Sequence, residues 1–231
     1  CNGLYKKIQE TFQSNPFMLK IVLDLLEFLI ANPRYTMEAA LEVCLKNMGV
    51  ELSLKQFAVM MSGFKDADLF IRMYFREKVI LELSKTGRPI VIVGRGWEES
   101  SAIKLSNIEW QPSISFSDVF SYMERSKVTL TVMPWFKAGT HDRIFNSLLH
   151  NSCPLTDESS WLTAHLVPNQ ECTYFSLDCL DNIGNILEKL MVDGDVTKSV
   201  IENGRKKVEQ NYTSRNIAQQ IVSRLEQCYG K

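Results

Sequence analysis

Pro89-Ile90-Val91-Ile92-Val93, followed at once by Gly94-Arg95-Gly96-Trp97, is the stretch on which the fold turns. Four consecutive β-branched residues between a proline and a glycine are too few for a helix. They read as a short strand buried on both faces, the kind that fills a parallel sheet. Downstream, strand and helix patterns alternate. We expect a strand near Ile114, a helix from Ser117 or Asp118, and a strand over Lys127 to Met133 that Pro134 stops. A helix from about His141 to His150, a strand around Cys153 to Thr156 and another over 172–177 come next. Helices near 179–192, 195–210 and 213–228 close the chain. Alternation with such short connections predicts an α/β fold, a Rossmann-like parallel sheet with helices on both faces.

Upstream of Pro89 the punctuation is helical. Ser14-Asn15-Pro16 supplies a cap and a first-turn proline, and Asn32-Pro33 ends that helix. Thr36 caps a second, from Met37 to about Met48, with Gly49 as its stop. Ser53-Leu54-Lys55-Gln56 has capping-box spacing, and Asp66 or Asp68 opens a long helix running to about Lys85. Residues 1–65 therefore read as a helical extension, and residues 66–231 as the Rossmann-like domain.

Composition narrows the function. The 231 residues are 45% hydrophobic and carry 26 basic against 27 acidic side chains, a formal charge of −1. That balance lacks the basic field of a nucleic-acid binder. The most apolar stretch, Phe17 to Ala31, is broken by Lys20, Asp24 and Glu27, so no transmembrane segment is expected. Six cysteines, none in a C-x-x-C pair, read as reduced thiols in a cytoplasm. Because Cys1 rather than Met comes first, the chain is expected to begin partway through a longer protein.

Ligands of open parallel sheets bind beyond the carboxyl ends of the strands. Two loops fall there. Gly94-Arg95-Gly96-Trp97 permits close backbone approach and offers a charge, or is simply a tight turn. Lys137-Ala138-Gly139-Thr140-His141-Asp142-Arg143 runs into a helix, where exposed amides, Lys137 and Arg143 suit a diphosphate. The plain alternative is that Thr140 or Asp142 caps that helix and Arg143 pairs with a carboxylate. Trp135-Phe136 either stacks on a base or sugar or packs as a hinge. Asp66-Ala67-Asp68 and Asp193-Gly194-Asp195 read as helix caps rather than metal ligands, and no metal site is expected.

From about Pro89 to Gln227 the chain resembles the C-terminal, nucleotide-sugar-binding domain of GT-B glycosyltransferases, in the group-1-like and spore-maturation-protein-like branch. Ser126 to Pro134, His141 to Leu149, Cys153 to Asp157, Asn203-Gly204-Arg205 and Tyr212-Thr213 carry the likeness. The resemblance implies a UDP- or GDP-sugar donor, no metal and no other cofactor. It sets Lys137, Gly139, Thr140, His141, Asp142 and Arg143 at the diphosphate. Gly94, Arg95, Gly96, Trp97, Asn146 and Ser147 would lie at the nucleotide, and Asp157, Glu158, Ser159 and Ser160 at the sugar or cleft. Where many relatives carry a donor-contacting glutamate, this sequence has Asn146 and Ser147, and a usual glycine turn is Asn151-Ser152. The expected function is a hexosyltransferase-type donor domain that acts on an unknown acceptor and needs a missing N-terminal domain for activity. A non-catalytic scaffold module of the same fold is the alternative.

Overall fold

Local signals start most of the helices. In the computed structural model, which describes residues 2–229, α1 (Asn2–Phe12) precedes α2 (Pro16–Ala31), whose N-terminus is capped by Asn15 Oδ1 accepting from the Met18 amide at 3.1 Å. Cys1, counted above among the thiols, lies outside the described residues. In α2 the side chains Ile21, Val22, Leu25, Leu26 and Leu29 form the buried stripe. Full burial of one such side chain is worth about 1.5–3 kcal/mol. Thr36 caps α3 (Met37–Asn47), and Gly49 at φ +68° lets the Val50 amide reach the Leu45 carbonyl at 2.9 Å. That is a Schellman closure, which needs a left-handed residue. Ser53 and Gln56 form both halves of the capping box of α4 (Leu54–Gly63).

The expected Asp66 or Asp68 cap is corrected by the structure. Phe64 already joins α4 to α5 (Lys65–Ser84), so both aspartates stand within the first turn. Their carboxylates pair with Lys7, at 3.0 Å, and with Arg72. Negative charge there still favours the helix dipole.

The chain divides into two compact units. One takes the residues up to Ile114 together with Val132–Ala138 and Ser176–Gly184; the other takes Ser115–Thr131, Gly139–Phe175 and the residues from Asn185 onward.

In the first unit β1 (Ile90–Val93) pairs in parallel with β2 (Ile108–Gln111), Ile90 opposite Ile108. A 3-10 turn at Ala102–Lys104 lies between them. Two expectations are corrected here. The strand following β1 is Ile108–Gln111, not near Ile114, which lies in the loop before the Ser115 cap of α6 (Phe116–Arg125). Nor is β1 buried on both faces: Ile92 is buried but Val91 is 46% exposed, as fits a sheet of only two strands.

The second unit holds β3 (Val128–Thr131), β4 (Cys153–Asp157) and β5 (Thr173–Phe175), parallel and side by side in chain order. Helices α7 (Asp142–Leu149), α8 (Ser160–His165), α9 (Ile183–Val192), α10 (Gly194–Asn211) and α11 (Ser214–Tyr229) complete the fold, with α7 and α10 packed on β4. The chain is thus α/β, with parallel sheets flanked by helices and a helical stretch ahead of them.

Here β4 is the strand buried throughout, and it tolerates Pro154 for a geometric reason. The Cys153 amide donates to Lys127 O at 2.9 Å, so the next residue's nitrogen faces away from β3. On that side β5 joins only from Leu155 onward, and the missing N–H forfeits no ladder bond. After α7, Asn151 adopts φ +60°, a conformation asparagine tolerates, and so does the work of a turn glycine.

Cys153, Leu190 and Val200 form the core beside this strand. Burial pushes the Cys153 thiol up to about 11, against an opposing hydrogen bond with Thr173, and burial also raises Cys172. A thiol that holds its proton more tightly when folded adds stability below its ordinary pKa, and that stability is lost as pH rises toward the folded value. Urea unfolding is therefore expected to show a loss between pH 9 and about 11, to which Cys153 contributes about 2–3 kcal/mol. Cys153→Ala should flatten that part of the profile. In the same native samples Cys179 and Cys228, both exposed, should react with a thiol reagent while Cys44, Cys153 and Cys172 wait for unfolding.

Candidate functional site

The parallel order of β3, β4 and β5 brings the carboxyl ends of all three strands to one edge of their sheet. Thr131 pairs with Thr156 at that edge, and Asp157 with Phe175. Of the segments singled out from sequence, Lys137–Arg143 and Asp157–Ser160, this unit holds Gly139–Arg143 and Asp157–Ser160, the latter starting at the end of β4. Ser159 ties them together: its hydroxyl donates to Gly139 O at 2.6 Å and also accepts from the Leu162 amide at 3.0 Å, capping α8. Ser159→Ala should cost about 1–2 kcal/mol in urea unfolding, from one lost cap and one half-buried acceptor left unpaired. A loss below 0.3 kcal/mol would show that the tie is dispensable.

His141, rather than Thr140 or Asp142, caps α7: its Nδ1 accepts from the Arg143 amide at 3.2 Å. The same Nδ1 lies 2.5 Å from Asp142 Oδ1. Thr140 is thereby left without the capping role. Its Oγ1 is buried and has no hydrogen-bond partner among the described residues, and the same holds for Thr131 Oγ1. A buried hydroxyl without a partner costs free energy unless a ligand or water completes it.

Arg143 sits in the first turn of α7, half-buried. Desolvation lowers its pKa, and the nearby Asp142 charge only partly opposes this. Its backbone amide is engaged by His141, and its guanidinium makes no hydrogen bond or ion pair among the described residues. A desolvated guanidinium beside the positive end of a helix would be favoured by a nearby anion.

Asp157 ends β4 fully buried, with Glu158 and Ser160 exposed beyond it. Asn146 is half-buried in α7, where its carbonyl meets His150 Nδ1 at 2.8 Å. Ser147, expected at the nucleotide, is wholly buried and donates to Ile144 O at 2.8 Å, so its hydroxyl serves the helix.

The remaining candidates belong to the other unit. Gly94 and Gly96 take φ of +131° and +88°, as a tight turn at a strand end requires. That turn is partly self-satisfied, because Trp110 Nε1 donates to Gly94 O at 2.8 Å and Gly96 N donates to Glu98 at 2.7 Å. Arg95 is exposed and Trp97 is buried. Trp135 holds φ +56° with its indole N–H buried and without a hydrogen-bond partner among the described residues, while Phe136 is 43% exposed. Lys137 follows them. Among the described residues no three His, Cys, Asp or Glu side chains gather as a metal site.

Residues 75–223 match a family model described as glycosyl transferase-like. The chain belongs to the glycosyl transferase-like family. No curated protein matches it. The matched span begins within α5, ends within α11 and covers nearly two thirds of this glycosyl transferase-like chain, including every site residue discussed above. The resemblance read from sequence thus holds at the level of the family, whose chemistry is glycosyl transfer between a sugar donor and an acceptor. No described helix of this family member is long and apolar enough to cross a membrane.

Sequence reasoning missed Thr131 and the aromatic group that holds α8. Trp161 stacks on His165 at 4.0 Å and Phe145 on Tyr212 at 5.2 Å, with Trp161 and Tyr212 edge to face at 5.5 Å. The only advance signal is the i, i+4 spacing of Trp161 and His165, which places both on one helix face.

Proposed function

We propose that the glycosyl transferase-like chain binds the diphosphate of a nucleotide sugar at the Gly139–Arg143 segment. The observation that carries this reading is Arg143, a desolvated guanidinium at the start of α7 whose one counter-charge among the described residues is Asp142. The unpartnered hydroxyls of Thr131 and Thr140 supply two further donors in the same unit. Asp157 to Ser160, tied to the segment through Ser159, would face the sugar.

In the reaction the acceptor hydroxyl oxygen bonds to the anomeric carbon as the bond from that carbon to the diphosphate oxygen breaks. The hydroxyl proton passes to a base, and the diphosphate leaves with the bonding electrons. Arg143 and the backbone amides of its segment would neutralise that charge, so this reading needs no metal. Acceptor binding and the base are assigned to a further domain. Residues 1–65 are assigned to a helical extension, and the reduced thiols to a cytoplasmic setting.

A thermal-shift titration with UDP, GDP, ADP, dTDP and CDP and their hexose conjugates tests the proposal. One base is expected to give a saturable rise in melting temperature. No rise with any of them, in a sample that unfolds cooperatively, overturns it. A non-catalytic module of the same fold is the second reading. The buried Ser147 favours it, because that hydroxyl is withdrawn from any donor.

A further inference from the structure

The second unit has another concavity, at the amino ends of its strands. Lys127 directly precedes β3, and Asn151 stands two residues ahead of β4; both line it. The opposite wall is one face of α10, from which Gly194, Thr197, Lys198, Ile201, Glu202 and Arg205 project at i, i+3, i+4, i+7, i+8 and i+11. The cavity measures about 380 Å³, within the range of small-molecule sites.

Its chemistry is lopsided. Three cations, Lys127, Lys198 and Arg205, face a single carboxylate, Glu202. Glu202 is 3.8 Å from Lys198 in an exposed i, i+4 pair, an arrangement that binds only weakly. Lys127 Nζ reaches Met191 O at 3.4 Å, which leaves two of its three donors unassigned. Arg205 is anchored, donating from Nε to Leu148 O at 3.3 Å and from Nη2 to Asn151 Oδ1, with N–H groups to spare. Leu190 and Ile201 supply apolar lining, and the Thr197 hydroxyl is committed to Leu190 O at 2.6 Å. Asp193 already caps α10, accepting from the Val196 amide at 3.0 Å, so the helix end is not what makes the site.

We propose that this cavity binds a small phosphate monoester, its phosphate among Lys127, Lys198 and Arg205 and its organic part against Leu190 and Ile201. A dianion with three acceptor oxygens matches three cations, whereas a carboxylate leaves charge unanswered. The site shares no residue with the Gly139–Arg143 segment and stands whether or not that segment binds a nucleotide.

The test is a backbone amide NMR titration of the whole chain with glycerol 3-phosphate in 0.15 M salt, with glycerol as the uncharged control. Saturable shifts are expected at residues 194–202, absent with glycerol, unchanged in Arg143→Ala and weakened at least tenfold in Lys127→Glu/Lys198→Glu. Both lysines are exposed, and Lys127→Gln alone should weaken binding about threefold while leaving the spectrum otherwise intact. Shifts confined to residues 139–147, shifts that do not saturate, or shifts that survive the double substitution overturn the proposal.

Discussion

Replacing Gly204 by alanine is expected to destabilise the chain by about 3 kcal/mol and to lower its melting temperature by about 10 °C. A Cβ at this position would lie 2.4 Å from the Glu171 carbonyl oxygen and 2.7 Å from Leu148 Cδ2. Glu171 O is backbone and cannot swing aside. Leu148 is wholly buried, so moving its branch means repacking its neighbours. The strain would reach α10 as a whole, which lies against α7 and β4. Gly194→Ala provides the matched control in the same helix, since a Cβ there meets nothing within 4 Å. It should change stability by less than about 0.5 kcal/mol. Equal melting temperatures for the two variants would refute the close-approach argument.

The second large effect is a separation of binding from stability at Arg143. Arg143→Ala should weaken nucleoside diphosphate binding about 100-fold, or 2.7 kcal/mol, the worth of a charge-assisted pair in a partly desolvated site. Because burial makes the charged guanidinium less favourable in the folded chain than in the unfolded one, the residue is a standing cost to folding near neutral pH. The ligand-free variant should therefore be as stable as the parent or slightly more so. Arg143→Lys should restore only part of the affinity, since an ammonium cannot make the planar double contact. An affinity within threefold of the parent in Arg143→Ala would remove the diphosphate from this segment.

What could be read beforehand was local in origin. Asn15 with Pro16, Thr36, the Ser53 and Gln56 pair and Asp193 each act within one helical turn, and each caps the helix expected of it. Asp66 and Asp68 misled because the helix start was decided by Phe64, buried with no capping side chain to announce it. The burial of a strand was illegible for a different reason. Ile90–Val93 is the most apolar of the strands, yet Cys153–Asp157, with a proline and two polar residues, lies in the middle of its sheet. Which strand is central depends on pairing partners some 20 residues away, as Leu130 with Leu155 and Leu155 with Thr173 show. The glycine missing at Asn151 proved replaceable, a substitution whose success only the backbone angle reveals. At the candidate site the loops were visible as loops after strands. The orphaned hydroxyls of Thr131 and Thr140 were not, because lacking a partner is a property of the surroundings.

The interleaving of the two units carries a lesson for anyone who wishes to handle them separately. The chain passes from one to the other at Ile114, Thr131, Ala138, Phe175 and Gly184. No single cut, and no simple truncation from either end, yields one unit whole. A protease nick in Val132–Ala138 would sever a seven-residue ribbon that both neighbouring segments depend on for their connection. Swapping donor specificity between relatives would accordingly mean exchanging discontinuous segments together, as a set of splices rather than a cassette.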